Sequence, residues 1–369
     1  MKKIVCMAAI ACMALPLHAQ DQNQDQNPSN LRLLNEENKS EYIPVFQYWK
    51  EHNILQHLDV SLTAGTSGIG IDVSSPIGDY VQVRAGYEFM PHFQKTLKFN
   101  LTVGGEPARQ YDSDGNRVIT KFDKMKELLY QFTGYDVEDH VDMIGTPTMN
   151  NFKFLVDVFP FKENKHWHFT AGFYWGPSKF AYAENSTEAM VSLLSVGMYN
   201  TMYEKALAGQ PFIDLGAIDD KYAGMSIGGE MMDIVYNKFI SYGRLGFALG
   251  TFKHDVTDNK GVVHHAGEAY ILEAGDDSMV RVTAKSNPFK PYLGFGYGGR
   301  LVKNRDDWKV SFDCGAMFWG GTPDLYVHDG INLTKDVENI GGQVGDYVDI
   351  FKAFKVYPVL TLRITKNIF

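Results

Sequence analysis

Few residues in the sequence have types and spacings that could do chemistry. His166 and His168 lie two positions apart, so both would lie on one face of a strand and could bind a metal, but no third ligand can be identified. Residues 294–299 read GFGYGG and match G-x-G-x-x-G, a pattern that binds a dinucleotide only between a strand and a helix, whereas these glycines alternate with apolar residues inside one strand. The sequence contains no H-E-x-x-H motif. It therefore predicts no catalytic residue, no metal site and no cofactor.

Charged side chains occur among the alternate positions of segments whose other positions are apolar. In a β-strand such positions share one face, and here that face would be the interior one. Opposite charges that are buried together tend to pair because an unpaired buried charge is costly, whereas a selective pore presents one sign of charge. The mixed signs predict a filled interior with a paired charge network, formed by Arg84, Glu88, Lys153, Asp157, Arg300, Asp313 and Arg363.

Six segments alternate apolar and polar residues with a period of two, as strands do when their two faces meet different environments. These segments are 81–89, 152–158, 166–176, 293–301, 308–318 and 360–365. Large aromatic residues at both strand ends of the apolar face predict girdles at the two membrane interfaces, at Trp167, Trp175, Trp308 and Phe318. About eight residues of a tilted strand climb roughly 20 Å, close to the height of the apolar band of a membrane barrel. A soluble β-sandwich also alternates and is the alternative.

Brief turns at one end of these strands and very long connections at the other are typical of a membrane β-barrel. The long stretches are 91–150, 177–289 and 320–354. We therefore predict an all-β, transmembrane, antiparallel up-and-down β-barrel of 8–12 strands, with long, partly helical extracellular loops and both termini in the periplasm. Eight strands are predicted at 58–64, 68–74, 80–89, 151–159, 166–176, 291–303, 308–319 and 356–365. Further candidates at 243–251, 262–272 and 279–284 would raise the number to ten or twelve.

Two segments of the long loops, 121–132 and 187–208, have the pattern of helices. In the second, apolar residues recur every four positions, at Met190, Leu194, Met198 and Met202, and Gly209 follows as a stop. This stripe predicts a helix packed on the barrel rim. The alternative is a lid or plug that contacts an apolar ligand.

The N-terminus has the form of a secretory signal peptide, with Lys2 and Lys3 before an apolar run at 4–17. Lipid attachment at Cys12 is the alternative. The polar stretch that follows has nothing to bury and predicts a linker. The predicted organisation is a signal peptide at 1–19, a periplasmic N-terminal segment at 20–57 and an outer-membrane β-barrel at 58–369.

Composition and charge exclude several classes of function. The formal net charge of −9 offers no electrostatic footprint for nucleic acid. After removal of the signal peptide, Cys314 is the remaining cysteine, which excludes an internal disulfide and a thiolate metal cluster.

The chain resembles the uncharacterised outer-membrane β-barrel proteins of Bacteroidetes-type bacteria. The resemblance lies in residues 65–70 (GTSGIG), residues 291–298 (PYLGFGYG) and the terminal Phe369, and it extends over about 58–369. It implies insertion into the outer membrane of a Gram-negative cell and no known enzymatic site. A C-terminal aromatic residue is what the barrel-assembly machinery of such proteins reads, so Phe369 is the predicted assembly signal.

We predict a monomeric, non-enzymatic barrel with a structural or surface-interaction role, whose partners are outer-membrane lipid and the assembly machinery. Its ligand cannot be named from the sequence. The first alternative is a transport barrel or porin-like channel for a small or apolar solute. The others are an outer-membrane lipid-modifying enzyme and a soluble secreted β-protein.

Overall fold

The computed structural model describes residues 57–214, 220–224, 226–228 and 233–368. The predicted signal peptide at 1–19, residues 20–56 of the predicted N-terminal segment, and Phe369 lie outside the described residues. None of the described helices is both long enough and apolar enough to cross a membrane.

Eight antiparallel strands form a closed barrel in which successive barrel strands pair and the last strand pairs with the first. The barrel strands are β1 (Asp59–Gly65), β2 (Gly68–Ile77), β3 (Val81–Phe89), β4 (Asn150–Val158), β5 (Trp167–Trp175), β6 (Phe289–Val302), β7 (Arg305–Phe318) and β8 (Val356–Asn367). Closure leaves no unpaired sheet edge, which lipid would not tolerate. The predicted all-β, up-and-down barrel is confirmed, with the smallest strand number in the predicted range.

Period-two alternation in the sequence becomes two distinct faces of the barrel wall. In β5, Phe169 and Trp175 are exposed on the outside, whereas Thr170 and Tyr174 are buried inside. The same pattern recurs in β2, where Ile71 is exposed on the outside and Asp72 is buried inside. The outer face is thus apolar over its height, which is the surface that a lipid bilayer requires.

The two ends of the barrel differ in their connections. At one end, which we call the turn end, residues 78–80, 159–166 and 303–304 join successive strands. At the other, the loop end, the three long stretches emerge and fold into further structure beside the tight turn at 66–67.

Five loop strands continue the barrel wall beyond the loop end. They are Lys95–Asn100, His140–Pro147, Lys179–Asn185, Arg281–Lys285 and Asp324–Val327. Each is close in sequence to one of the barrel strands β3 to β7, and they form a five-stranded sheet in the same order as those strands. We call this sheet the upper wall.

The remaining loop strands form a second sheet and three small hairpins. The sheet contains Thr102–Val103, Glu106–Pro107, Leu245–Phe252, Ala269–Leu272 and Val337–Glu338. The hairpins pair Gln110–Tyr111 with Arg117–Val118, Pro211–Asp214 with Ser226–Gly228, and Val256–Thr257 with Val263–His264. The candidate strands at 243–251, 262–272 and 279–284 therefore belong to loop structure. The ten- and twelve-strand alternatives were wrong.

The described parts of the loops also contain four α-helices and a 3-10 turn at Asp220–Tyr222. They are α1 (Lys121–Thr133), α2 (Ala189–Leu207), α3 (Asp233–Tyr242) and α4 (Gly342–Ala353). Both predicted helices are present, as α1 and α2. Thr120 caps α1 with a reciprocal capping box to Asp123, which satisfies two otherwise unpaired backbone donors.

Helix α2 does not pack on the barrel rim through its methionine stripe. Leu194 and Met198 are exposed, and the opposite side of the helix is buried. Tyr199 stacks on Phe239 of α3 at 5.4 Å, and Asn200 bonds both backbone groups of Leu245. Asn200 favours burial of its own side of the helix over burial of the methionine stripe. It does so because it satisfies a backbone donor and a backbone acceptor that would otherwise be unpaired.

Candidate functional site

The barrel interior holds the largest concentration of buried charge among the described residues. The polar face of each strand points inward, so a narrow barrel brings side chains from several strands together. Arg84 of β3 lies near the centre with its guanidinium between three carboxylates. Its two terminal nitrogens lie 2.9 Å from Asp157 and 3.0 Å from Asp313, and Asp72 is 3.8 Å away.

Lys153 extends this cluster toward the loop end. Its ammonium donates to Glu88 at 2.5 Å and lies 2.8 Å from Asp72. Asp72 is therefore shared between Lys153 and Arg84, and it joins the two groups into one network. Because each side chain is almost completely buried, these ion pairs are poorly screened by solvent.

Arg363 of β8 completes the network on the opposite side of the barrel. Its guanidinium lies 3.4 Å from Asp157 and 3.6 Å from Asp313, and it donates to the Ser311 hydroxyl at 2.8 Å. His168 Nε2 lies 2.9 Å from the second Asp313 oxygen and 3.4 Å from a guanidinium nitrogen of Arg363. Together the network contains three cations, Arg84, Lys153 and Arg363, and four carboxylates, Asp72, Glu88, Asp157 and Asp313.

Arg300 does not join the network, although the sequence pattern placed it there. Its side chain is 63% exposed and pairs with Asp306. The partner of Tyr297 is Trp167, the first residue of β5, so the hairpin of β6 and β7 projects beyond the rest of the wall at the turn end. Alternation defines the side of the sheet on which a residue lies but not its height along the barrel axis.

Asp72 of the network, and His168, which contacts the network at Asp313, were not in the predicted set of network residues. Asp72 lies between Ile71 and Val73 in β2, and this short alternation was a signal that could have found it. His168 was considered only as a metal ligand. In the described ranges no group of three or more His, Cys, Asp or Glu could hold a metal ion, and His166 instead contacts the carbonyl of Gly298 at 2.5 Å.

Inward-facing glycines make room for the network. A Cβ on Gly296 would lie 2.3 Å from both His168 Nε2 and an Asp313 oxygen, and one on Gly86 would lie 2.2 Å from an Asp72 oxygen. Any larger side chain at these positions would overlap the groups that form the ion pairs. The G-x-G-x-x-G match at 294–299 is thus a packing feature of a strand.

An aromatic layer closes the barrel interior above the charges. Tyr174 and Tyr292 meet edge to face at 5.4 Å. Nearer the loop end, Trp319 lies between Phe180 at 4.4 Å and Tyr357 at 5.2 Å. Helix α4 adds Phe351, 6.2 Å from Phe180. We call these six residues the aromatic cap. No local sequence pattern indicates the cap, because it joins three barrel strands, the residue that follows β7 and two loop elements.

The predicted girdle residues lie on the outer face at both ends of the wall. Trp175 and Phe318 are exposed near the loop end, and Trp167 is exposed near the turn end. Trp308, also near the turn end, is partly exposed, and Lys366 lies 5.2 Å from its ring centroid. Large rings at two levels, with an apolar band between them, are the pattern of residues at membrane interfaces.

Comparison with known proteins adds little to this geometry. No protein-family model matches the sequence, and no curated protein matches it. Among solved structures, the chain is similar to Acinetobacter baumannii CarO2 at 12% identity and CarO at 13% identity. Each match has a TM-score of 0.34 and covers 85% of this chain and 98% of the other. A likeness at this level supports no inference about the role of the chain, and the Bacteroidetes-type resemblance stays a prediction.

Proposed function

We propose that this chain is a monomeric, non-enzymatic, non-conducting outer-membrane β-barrel that displays its folded loops at the cell surface. The observation that carries the proposal is the filled interior. Paired charges span the barrel between β2, β3, β4, β7 and β8, and the aromatic cap closes the loop end above them. A selective pore would instead present a lining of one sign around a passage.

Placement in the outer membrane is supported by the apolar outer face, the aromatic residues at its two levels and the difference between the barrel ends. By this asymmetry the turn end lies in the periplasm and the loop end outside the cell. The upper wall and the helices would then form a structured external surface. Such a surface suits interaction with another molecule better than catalysis.

We expect the protein to fractionate with outer membranes and to migrate faster on gels when unheated than when boiled, because a closed barrel resists unfolding by detergent. Recovery of the full-length protein in the soluble periplasm would contradict the membrane placement.

Deletion of Phe369 is expected to reduce the amount of folded protein in the membrane, since we propose that the assembly machinery reads the C-terminal strand. Removal of the exposed Ile119, a loop residue, is the control and should leave the amount unchanged.

The purified protein is expected to give no steady ion conductance in planar lipid bilayers, because the charge network and the aromatic cap leave no polar passage. Large, stable conductance steps from the unmodified protein would contradict the filled interior and would favour the transport alternative. In that case the gate would be α4, because Phe351 belongs to the cap, and not the methionine-striped α2. A change in lipid A from a deletion strain would favour the lipid-modifying alternative.

A further inference from the structure

A pocket lies where the barrel wall continues into the upper wall. It is located between the segment that leads into β6 and the segment that follows β7. Strands β6 and β7 pair up to Tyr292 and Met317, and pairing resumes above them at Lys285 and Asp324. Between these points the two chains separate, with one backbone bond from Asn287 to Trp319. The separation creates a cavity of about 310 Å³ that includes Ser286, Asn287, Trp319 and Thr322 in its lining.

The pocket faces outward at the level of the outer aromatic girdle. Lys285 and Asp324 are cross-strand partners and share one face, while the neighbouring pair, Ala284 and Leu325, is buried on the interior side. Directly below, Phe289 is 53% exposed and Phe318 is 38% exposed on the outside of the barrel. Aromatic girdles lie at the height of lipid headgroups, so the pocket would meet headgroups of the outer leaflet.

Two buried polar groups in the pocket wall lack hydrogen-bond partners within the described structure. Trp319 is only 4% exposed, and its Nε1, which can only donate, has no acceptor. The hydroxyl of Ser286 is also buried without a partner. The Asn287 amide lies against Gly320, where a Cβ would be 1.9 Å from Nδ2, so glycine permits this amide to line the cavity. Because the Ser286 hydroxyl and the Trp319 Nε1 have almost no accessible surface, it is the exposed Asn287 amide of these three groups that a ligand in the cavity can reach.

The charge of the pocket is positive. Lys335 donates to Asp324 at 2.6 Å, and this hydrogen bond raises the pKa of Lys335 above its usual value. Asn332 also donates to Asp324, at 3.0 Å, so that carboxylate is already engaged by two donors. Lys285 lies over the ring of Tyr326 at 4.7 Å and has no carboxylate partner among the described residues. The ammonium groups of Lys285 and Lys335 outnumber the carboxylate of Asp324, so the pocket has a net positive charge that attracts an anion.

We propose that this pocket binds the phosphate of a phosphorylated lipid headgroup in the outer leaflet. Lys285 and Lys335 would supply the charge, and the exposed amide of Asn287 would donate a hydrogen bond to a phosphate oxygen. Phosphate oxygens accept hydrogen bonds, which matches the ammonium and amide donors of the lining. The proposal rests on the proposed membrane placement, because that placement brings headgroups to this height.

Binding of dihexanoyl phosphatidic acid to the full-length protein in phosphate-free dodecyl maltoside tests the proposal by calorimetric titration. We expect saturable binding that the double variant Lys285→Gln, Lys335→Gln weakens at least about tenfold, since bonds to charged groups are lost. Asn287→Ala removes the amide donor of the lining, and it should also weaken binding. Lys303→Gln, an exposed lysine at the turn end, is the matched control and should bind as the unmodified protein does.

Two results would overturn the pocket assignment. One is binding of the lipid that the double variant leaves unchanged. The other is binding of inorganic phosphate as tight as that of the lipid, which would show a site for the free anion. Gel mobility before and after boiling, measured on the same samples, reports whether the barrel is formed. If the unmodified protein shows no mobility shift, the membrane barrel is rejected. If it shows the shift but does not bind the lipid, only the pocket assignment is rejected.

Discussion

Arg84→Met is expected to lower the free energy of unfolding by about 3–5 kcal/mol, the cost of removing one partner from a buried ion pair. Arg84 contacts Asp157 and Asp313 at hydrogen-bond distance, and Asp72 lies within ion-pair distance. Without its guanidinium, three buried carboxylates would share the remaining cations, Lys153 and Arg363. Urea unfolding of the protein in lipid vesicles, followed by tryptophan fluorescence, measures the change.

Arg300→Met is the matched control for this substitution. Arg300 lies at an inward-facing position of its strand, as the network residues do, but its side chain is exposed. Its replacement should therefore change the free energy of unfolding by no more than about 0.5 kcal/mol. Adding Asp157→Asn to Arg84→Met removes one of the uncompensated carboxylates and should restore part of the loss. An Arg84→Met protein as stable as the unmodified one would show that the network does not hold the barrel together.

Gly296→Val is expected to destabilise the barrel by about 2–3 kcal/mol, toward the upper end for overpacking of a filled core. Its Cβ would come within 2.3 Å of both His168 and Asp313, and so would force apart the contact that these two groups make at 2.9 Å. The same unfolding measurement applies, together with the fraction of protein that shifts on gels after boiling.

Gly197→Ala is the control, a glycine substitution that we expect not to lower the free energy of unfolding. Gly197 lies inside α2, and a Cβ there would meet nothing within 4 Å. Alanine is a better helix former, so the variant should be as stable as the unmodified protein or more stable by up to about 1 kcal/mol. A Gly296→Val protein that folds and unfolds like this control would contradict the crowded interior.

Much of the barrel could be predicted because its strands carry their own signal. A wall with lipid on one side and polar groups on the other forces alternation within each strand, and this local pattern located the eight strands to within a few residues. For the same reason, six of the seven predicted network residues lie together in the interior. The helices α1 and α2 were also found, because helical periodicity is local.

The loops illustrate the opposite case. The strands of the upper wall are only four to eight residues long, so each offers few alternating positions, and their partners lie far away in the chain. The burial of α2 depended on Tyr199 and Asn200 and on contacts with α3 and Leu245, which no pattern within the helix could indicate.

The amino-acid sequence by itself determined the class of fold and the face on which each strand residue lies, because both follow from the period-two geometry of a strand between lipid and a polar interior. Only the tertiary structure decided which charges meet, because height along the barrel depends on strand register and on where neighbouring strands begin. That is why Asp72 enters the network and Arg300 leaves it. The aromatic cap and the pocket beside Trp319 are likewise tertiary, since each brings together residues separated by long stretches of chain.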